Sequence, residues 1–427
     1  MKGRGLMGKV AVFSYPYFGH VNPTVSLVKE LVDRGEQVYY YTADPYMKFI
    51  RMEGVICRSY GDVIGLLDEE IPIRSTDPIE ILKLLVPHKL DKYQRMTNLL
   101  IERVIEDEPD YIIRDCESYW GKMIGIMLDV PVTCYITTIA LNETIMDQHT
   151  DFFVRNVLGN PAGQFTLPVE GTRFSEVLNA CTRELSRPYS VQYKAIDAFS
   201  GADEFNLVFT SREFQPYANT FGSDYLFLGP SIRKEEEDGD NYHELMSSGT
   251  LVYISMGTVY NDCLPFYSKC INAFRDNGWQ VVMSTGQRIN TADLGVLPGN
   301  FIVRSHVPQL RLLQMADVFI THGGHNSTNE ALYHHVPMVI FPQAADQFAV
   351  SGRVEEIGAG VVGNSRECTP EDIADMTIKV LTDPRYRNSC QEVGQAIRNS
   401  GGAKLAVDGI FAFLNGQMLQ STDTGCL

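Results

Sequence analysis

The chain has 427 residues, of which 44% are hydrophobic, and a formal net charge of −17 at pH 7. This length exceeds a usual single core, so two globular domains are expected. The acidic charge argues against a nucleic-acid partner or an anionic membrane surface, because either would require a basic face.

The cysteines and the N-terminus indicate the cellular compartment. Nine cysteines are scattered without a CxxC pair, which favours reduced thiols over a disulfide framework or a zinc site. The N-terminal MKGRGLMGKVAVFS has basic residues, but its apolar run is too short for a signal peptide. No stretch reaches the roughly 18 apolar residues of a membrane-spanning helix. We therefore expect a cytoplasmic protein with no integral membrane segment.

The first half alternates strand and helix patterns. Residues 9–14 (KVAVFS) predict a buried strand. Asn22 and Pro23 then predict a helix start, as N-cap and first helical residue, and Gly35 its end. Short connections of this kind indicate a parallel sheet with right-handed crossovers. The other predicted elements of this half are strands at 37–42, 111–114, 132–136 and 206–210 and a helix from Asp44 to about Gly54.

Two long stretches, 60–92 and 137–193, have poorer patterning and interrupt this half. Long insertions in α/β domains commonly bind ligands, so one interpretation is that they form the walls of a binding pocket. Simple helix packing is about as well supported. The apolar residues behind both interpretations are Ile64, Leu66, Leu67, Met146, Phe152, Phe153, Leu158 and Phe165.

A charged run, RKEEEDGDN at 233–241, marks a change in composition and predicts an exposed linker. It contains Asp238 and Asp240 in an Asp-x-Asp pattern that can bind metal at a strand end. A solvated acidic run is the better interpretation here, so no metal is assigned. The predicted division is an N-terminal domain at 1–232, a linker at 233–249 and a C-terminal domain at 250–427.

The second half repeats the alternating architecture. Predicted strands lie at 250–255, 280–284, 301–303, 318–321 and 338–341, and predicted helices at 264–277, 309–315, 327–333, 347–356, 370–381 and 404–417. Ligands of such sheets bind at the carboxyl ends of the strands.

The most specific stretch is 301–347. A short buried strand ends at Thr321, the glycine-containing turn HGGHNS follows, and a helical pattern begins at Ser327. A strand, a glycine turn and a helix N-terminus form an anion site, because free N–H groups and the helix dipole point at it. His322, Asn326, Ser327 and Thr328 add side-chain donors, which suits a diphosphate.

This stretch resembles the nucleotide-sugar box of family 1 glycosyltransferases, most closely the macrolide-type bacterial branch. The resemblance implies a GT-B fold, in which two facing Rossmann-like, doubly wound α/β domains enclose an inter-domain cleft, with the last helix returning to the first domain. His306 stands where many relatives have a tryptophan that stacks on uracil. The sequence therefore does not decide whether the nucleotide base is that of uridine or of thymidine. The resemblance rests on Pro308, Gln309, the run from His322 to Ser327, Glu330, Pro337, Pro342, Asp346 and Gln347.

Two first-half residues are candidates for catalysis. His20 follows the first strand, and an imidazole pKa near 6.5 suits proton transfer, although a lone loop histidine is more often structural. The Gly-His-x-x-Pro pattern matches the family's general base. Asp115, after the strand at 111–114, matches the aspartate that pairs with this base. On position alone it is almost as readily a helix N-cap, and Glu117 is a rival carboxylate.

The resemblance also implies the roles of the donor-binding residues. The backbone around Val307 and Gln309, together with His306, would hold the nucleotide base, and Glu330 would bind the ribose hydroxyls. Asp346 and Gln347 would bind the sugar hydroxyls. The diphosphate would be bound by Gly257, Thr258, His322, Gly324, Asn326, Ser327 and Thr328.

The expected activity is inverting transfer of a sugar to a hydroxyl of an apolar small molecule such as a macrolide, flavonoid or other phenol, with glucose from UDP-glucose as the expected donor. No metal or other cofactor is expected. A sugar-nucleotide epimerase or hydrolase of the same fold and a non-catalytic partner protein are the alternatives. The acceptor and the choice between monomer and homodimer stay open.

Overall fold

The computed structural model of the protein describes residues 8–69, 71–73, 75–159, 172–189, 191–232, 249–257, 261–344 and 346–416. The chain forms two compact units, and neither is continuous in sequence. Unit 1 comprises Met1–Phe209, Tyr217–Ser231 and Gly401–Leu427, and unit 2 comprises Thr210–Pro216 and Ile232–Ser400. Residues 233–248 of the predicted linker, with Asp238 and Asp240, lie outside the described residues.

Unit 1 is built on a parallel sheet. Its described strands are ordered β3-β2-β1-β4-β5-β6-β7, so the chain starts in the middle and reverses direction across the sheet between β1 and β4. Phe13 pairs with Tyr41 on one side and with Arg114 on the other. The strands are β1 (Lys9–Phe13), β2 (Gln37–Thr42), β3 (Val55–Ser59), β4 (Tyr111–Asp115), β5 (Val132–Ile136), β6 (Asn206–Val208) and β7 (Tyr225–Phe227).

Helices cover this sheet and bury its apolar strand residues. The stripe Leu27, Val28 and Leu31 of α2 packs into the same core as Val10 and Val12 of β1. The helices are α1 (Phe18–Val21), α2 (Thr24–Asp33), α3 (Asp44–Met47), α4 (Ile64–Leu67), α5 (Pro78–Asp107), α6 (Tyr119–Leu128), α7 (Glu143–Gln148), α8 (Thr150–Phe152) and α9 (Phe174–Ser186).

The start of the first long helix differs from the prediction. The chain makes a short turn of helix, α1, before α2 begins at Thr24 with Pro23 as its N-cap. Asn22 is instead the C-cap of α1, so its predicted role as N-cap of the long helix was wrong. The extra turn at 18–21 carries His20.

The two long insertions contain helices rather than extended loops. Residues 78–107 form α5, a 30-residue helix that continues through Pro87, and 143–186 contains α7, α8 and α9. Leu67, Met146, Phe153 and Leu158 are buried, whereas Ile64, Leu66 and Phe152 stay partly exposed. Helix packing, the second interpretation of these stretches, therefore explains the four buried residues. Phe165 lies outside the described residues.

Unit 2 repeats the design with a second parallel sheet. Its order is β10-β9-β8-β11-β12-β13 within the described residues, and the reversal falls between β8 and β11. Thr321 of β11 pairs with Ser255 of β8 on one side and with Ile340 of β12 on the other. The strands are β8 (Leu251–Ser255), β9 (Gln280–Ser284), β10 (Phe301–Arg304), β11 (Val318–Thr321), β12 (Met338–Ile340) and β13 (Gly360–Val362).

The helices of unit 2 match the predicted pattern with two differences. The helix after the glycine turn begins at His325, two residues earlier than predicted, with Gly324 as N-cap. An unpredicted helix, α15, follows Asp383. The helices are α10 (Leu264–Phe274), α11 (Gln309–Leu313), α12 (His325–Tyr333), α13 (Gln347–Glu356), α14 (Pro370–Thr382) and α15 (Pro384–Arg398).

The last helix, α16 (Gly402–Leu414), belongs to unit 1. Ala406, Val407 and Ile410 join the core that α2 and β1 form. Gly409 allows close packing, since a Cβ there would lie 2.7 Å from Leu226 Cδ2. None of the helices in the described part of the chain combines the length and apolar character that a bilayer span requires.

Helix α15 packs closely against α12, the helix that follows the glycine turn. Gly394→Ala should lower the free energy of unfolding by about 1–3 kcal/mol, because the new Cβ would clash with the backbone oxygen of Leu332 in α12. Elsewhere in a helix the same change stabilises by up to about 1 kcal/mol.

Urea unfolding of Gly394→Ala, Gly65→Ala and wild type makes this measurement. Gly65 lies in α4 with open space where its Cβ would be, so its substitution is the matched control. Equal urea midpoints for the Gly394 and Gly65 variants would show that α15 and α12 are not in close contact at Gly394.

Candidate active site

The two catalytic candidates of unit 1 lie beside the reversal of its sheet. His20 follows β1 on α1, and Asp115 is the last residue of β4, the parallel neighbour of β1. His20 Nδ1 lies 2.8 Å from Asp115 Oδ2. The Asp115 side chain is fully buried, whereas 25% of the His20 side chain is exposed. A buried carboxylate on Nδ1 fixes the tautomer of an imidazole and makes Nε2 the basic nitrogen.

The two carboxylate oxygens of Asp115 have different partners. While Oδ2 contacts His20, Oδ1 accepts a hydrogen bond from the backbone N–H of Glu117 at 2.9 Å. The N-cap of α6 is Ser118, and not Asp115. The carboxylate therefore stabilises the turn that leads into α6 and contacts the imidazole at the same time.

Glu117, the rival carboxylate, pairs with a lysine. Its Oε2 lies 2.9 Å from Lys89 Nζ on α5. Burial raises the pKa of the Glu117 carboxyl, but the Lys89 ammonium more than offsets this effect, so the pKa lies below its ordinary value. Glu117 is thus held ionised against Lys89, and Asp115 is the carboxylate that the structure places on His20.

Three neighbours of His20 had not been singled out from the sequence. Thr137 Oγ1 lies 3.2 Å from His20 Nδ1. The rings of Tyr15 and Tyr17 lie 5.5 and 6.5 Å from the imidazole, measured between centroids. Thr137 directly follows β5, the neighbour of β4, so its place after a central strand was the available signal.

His322 occupies the equivalent reversal in unit 2. It directly follows β11, and its ring lies against the turn after β8. A Cβ at Gly257 or at Gly324 would come within 2.5 Å of His322 Nε2, so both glycines make room for the imidazole. Gly323 has a φ of +80° and provides the sharp turn, as its predicted role requires. Thr258 lies outside the described residues.

The imidazole of His322 is neutral near pH 7. Burial lowers the pKa of His322 to about 4, against a smaller opposite effect of a hydrogen bond with the backbone of Ser255. The side chain can therefore donate through one ring N–H without carrying a charge.

The first turn of α12 carries the other predicted diphosphate ligands. Asn326 and Ser327 are half-buried and Thr328 is fully buried. Among the described residues, nothing hydrogen-bonds to Thr328 Oγ1, although the atom is buried. A buried hydroxyl beside the N-terminus of a nine-residue helix suits an anionic ligand.

Gln309 links two of the other candidates. Its Nε2 donates to Glu330 Oε2 at 2.6 Å and to Ser327 Oγ at 3.1 Å. Its Oε1 accepts from the hydroxyl of Tyr253, a buried residue of β8, at 3.0 Å. The Gln309 amide thereby sets the orientation of the Glu330 carboxylate, and Tyr253 is a supporting residue that the sequence analysis had not named.

The remaining donor candidates lie at the ends of β10 and β12. His306 is exposed after β10, and the neighbouring Val307 is buried. Asp346 is the N-cap of α13, and Gln347 is its first residue. Gln347 Oε1 accepts from the backbone N–H of Gln343 at 2.8 Å, so its amide nitrogen is the end of that side chain suited to donate to a ligand.

No group of three or more histidine, cysteine, aspartate or glutamate side chains suited to hold a metal ion occurs within the ranges that the structure describes. The described candidates divide between the units. Unit 1 contains a histidine paired with a buried carboxylate. Unit 2 contains, by itself, neutral hydrogen-bonding side chains at a helix N-terminus and the Glu330 carboxylate that Gln309 orients.

Two parallel-sheet α/β units of this kind are the GT-B glycosyltransferase fold. The crystal structure of CalG4, the calicheamicin glycosyltransferase, matches with a TM-score of 0.77 and 23% identity, covering 96% of this chain and 98% of that one. This confirms the predicted fold class.

The sequence comparisons define the family. Residues 276–400 match the family model described as Erythromycin biosynthesis protein CIII-like, C-terminal domain. The uncharacterized UDP-glucosyltransferase YojK of Bacillus subtilis (strain 168) is 33% identical over 412 residues, 95% of this chain and 97% of that protein. Demethyllactenocin mycarosyltransferase of Streptomyces fradiae is 30% identical over 420 residues, covering 97% and 88%. The chain belongs to the family 1 glycosyltransferases, in their macrolide-type bacterial branch, and is a hexosyltransferase.

The low pKa of His322 predicts a pH dependence of stability. Because the pKa of His322 is about 4 in the folded protein and 6.5 in an ordinary histidine, the unfolded chain binds the proton first as the pH falls. The free energy of unfolding should therefore decrease between about pH 6.5 and about pH 4. Urea unfolding across this window should show a smaller decrease for His322→Gln than for wild type. Equal decreases in the two proteins would contradict a neutral His322.

Proposed function

We propose that the protein transfers glucose from UDP-glucose to a hydroxyl of an apolar small molecule, with inversion at the anomeric carbon and without a metal. His20 acts as the general base and Asp115 as its partner. Unit 2 binds the nucleotide sugar.

The observation that carries this proposal is the contact between His20 Nδ1 and Asp115 Oδ2. A hydroxyl is a weak nucleophile until a base takes its proton, and imidazole is suited to do so near neutral pH. Asp115 stabilises the imidazolium that forms, and its second oxygen is held by the turn at Glu117. Because a quarter of the His20 side chain stays exposed, a substrate hydroxyl can reach the imidazole. This accessibility favours proton transfer over a purely structural role for the pair.

The donor assignment rests on unit 2 and on the relatives. The N-terminus of α12 and the His322, Asn326, Ser327 and Thr328 side chains would hold the diphosphate. Glu330, oriented by Gln309, would accept from the ribose hydroxyls, and Asp346 and Gln347 would contact the sugar. YojK is named as a UDP-glucosyltransferase, which favours UDP-glucose as the donor.

The reaction is a single displacement. The acceptor O–H bond breaks and its proton goes to His20 Nε2. The oxygen forms a bond to the anomeric carbon on the face opposite the diphosphate, whose bond to that carbon breaks and leaves its electron pair on UDP. The donors of the α12 N-terminus stabilise that charge in place of a metal ion. An α-linked donor therefore gives a β-glucoside.

The acceptor is proposed to be hydroxylated and largely apolar. Tyr15 and Tyr17 surround the base, and Ile64, Leu66 and Phe152 of the insertions stay partly exposed. These side chains also favour transfer over the sugar-nucleotide epimerase or hydrolase alternative, which needs no acceptor surface.

His20→Ala should lower the rate of glucoside formation by about 100- to 10,000-fold, because the acceptor loses its base. The measurement is a mass-spectrometric assay with UDP-glucose and a panel of phenols and macrocyclic alcohols, followed by NMR of the anomeric proton of the product.

His88→Ala is the matched control, since His88 is another unit 1 histidine whose ring Nε2 contacts the backbone oxygen of Glu69. Activity of His20→Ala within a few-fold of the control would remove the base assignment. Products formed from UDP-glucose alone at the same rate would indicate the epimerase or hydrolase, and inhibition by EDTA that Mg²⁺ relieves would contradict the metal-free site.

Gly324→Ala should weaken UDP binding by about tenfold or more, which is roughly the loss of one good charge-assisted hydrogen bond. Its φ of −63° accepts alanine, but the Cβ would lie 2.5 Å from His322 Nε2 and would displace the ring. Isothermal titration with UDP measures the change. Gly299→Ala, in the same unit with open space around its Cβ, should bind UDP like wild type. Equal affinities of the two variants would exclude His322 from the diphosphate site.

A further inference from the structure

Arg114 is a fully buried arginine immediately before Asp115. Successive residues of a strand point to opposite faces, so Arg114 leaves β4 on the face opposite to the Asp115 side chain. The side chain nevertheless returns to the end of β4. Its Nη1 donates to the backbone oxygens of Asp115 at 3.1 Å and of Cys116 at 3.2 Å. The guanidinium thus holds the two carbonyls that border the turn after the strand.

The guanidinium is itself anchored by a carboxylate. Arg114 Nε donates to Asp203 Oδ2 at 2.7 Å, and Lys122 Nζ of α6 lies 3.0 Å from Asp203 Oδ1. Asn206 of β6 donates to the backbone oxygen of Asp203 at 2.8 Å. The network therefore connects β4, α6 and the start of β6 behind the dyad.

The surroundings are shaped to accommodate this cation. A Cβ at Gly201 would lie 2.8 Å from the Cys116 oxygen and 3.3 Å from Arg114 Nη1. Burial lowers the pKa of Arg114, but Asp203 more than offsets this, so the pKa lies above its ordinary value and the group stays charged. A buried ion pair contributes little net stability compared with apolar residues of similar volume. The Arg114–Asp203 pair is therefore better explained by the groups that it orients, the carbonyls of Asp115 and Cys116, than by added stability.

We propose that Arg114 is a positioning residue for the transfer reaction: by clamping the carbonyls of Asp115 and Cys116, it fixes the turn from which Asp115 reaches His20. This inference rests on the proposed function of the His20–Asp115 pair. If the clamp is lost, the β4–α6 turn can shift, and the dyad loses the geometry that the 2.8 Å contact requires.

A double-mutant cycle on kcat tests the clamp, using wild type, Arg114→Met, Asp115→Asn and the double variant. Arg114→Met alone should lower kcat by about 10- to 100-fold, as small misplacements of catalytic groups do. In the Asp115→Asn background the same change should cost less than about twofold, because Arg114 acts only through Asp115. Arg114→Lys should lie between wild type and Arg114→Met, since an ammonium donates to the carbonyls without the planar fork.

Arg58→Met is the matched control. Arg58 is a partly buried arginine of β3 that pairs with the buried Asp107 in the same unit, and β2 and β1 separate its strand from β4. Its loss should reduce stability while kcat stays within about threefold of wild type, because distant sites without shared partners act independently of each other. A fall in kcat for Arg58→Met as large as that for Arg114→Met would overturn the specific role of Arg114.

Two further results would overturn the inference: equal losses from Arg114→Met in both backgrounds, and wild-type kcat in Arg114→Met. If Arg114→Met does not fold, the same cycle and criteria apply to Asp203→Asn, which removes the anchor of the guanidinium. Failure of the proposed function is separate, because it would appear as missing glucoside formation in wild type or as activity surviving in His20→Ala.

Discussion

The placement of the functional groups follows from one constraint, the order of parallel strands. A chain that begins in the middle of a sheet and extends first to one side and then to the other must leave two neighbouring strands whose following segments diverge. In unit 1 these strands are β1 and β4, and in unit 2 they are β8 and β11. His20 follows β1 and Asp115 ends β4, while Gly257 and His322 follow β8 and β11. Residues that are about 95 and 65 positions apart in sequence thereby become neighbours.

The two histidines show how surroundings assign different chemistry to the same side chain. His20 keeps part of its ring exposed and has a carboxylate on Nδ1, an arrangement that stabilises a positive charge. His322 is enclosed by two glycines and has no carboxylate partner in the described contacts, and burial lowers the pKa of its ring to about 4. The first imidazole has a partner for a positive charge, whereas the second is kept neutral. The difference lies in the packing, and it cannot be read from the residue type.

The sequence was informative where local chemistry dictates structure. The runs KVAVF and VFIT are buried strands, and the glycine turn has the expected backbone. Each strand is followed by a candidate that the structure places beside another candidate of its own unit: His20 beside Asp115, and His322 beside Gly257. It was less informative for α5 and for the start of α2, where tertiary packing overrides weak patterning and a proline. The Arg114–Asp203 pair and the Gln309–Glu330 bond join residues distant in the chain, so no local pattern could reveal them.

The return of α16 to unit 1 limits how the chain can be divided. A fragment that stops in the segment between the two halves would leave the apolar surface of α2 and β1 without Ala406, Val407 and Ile410. It would also lose the bond from Gly402 N to Leu228 O and the ion pair between Arg34 and Asp408. Chimeras that exchange second halves between relatives therefore need a second junction near Ser400, so that each first half keeps its own terminal helix.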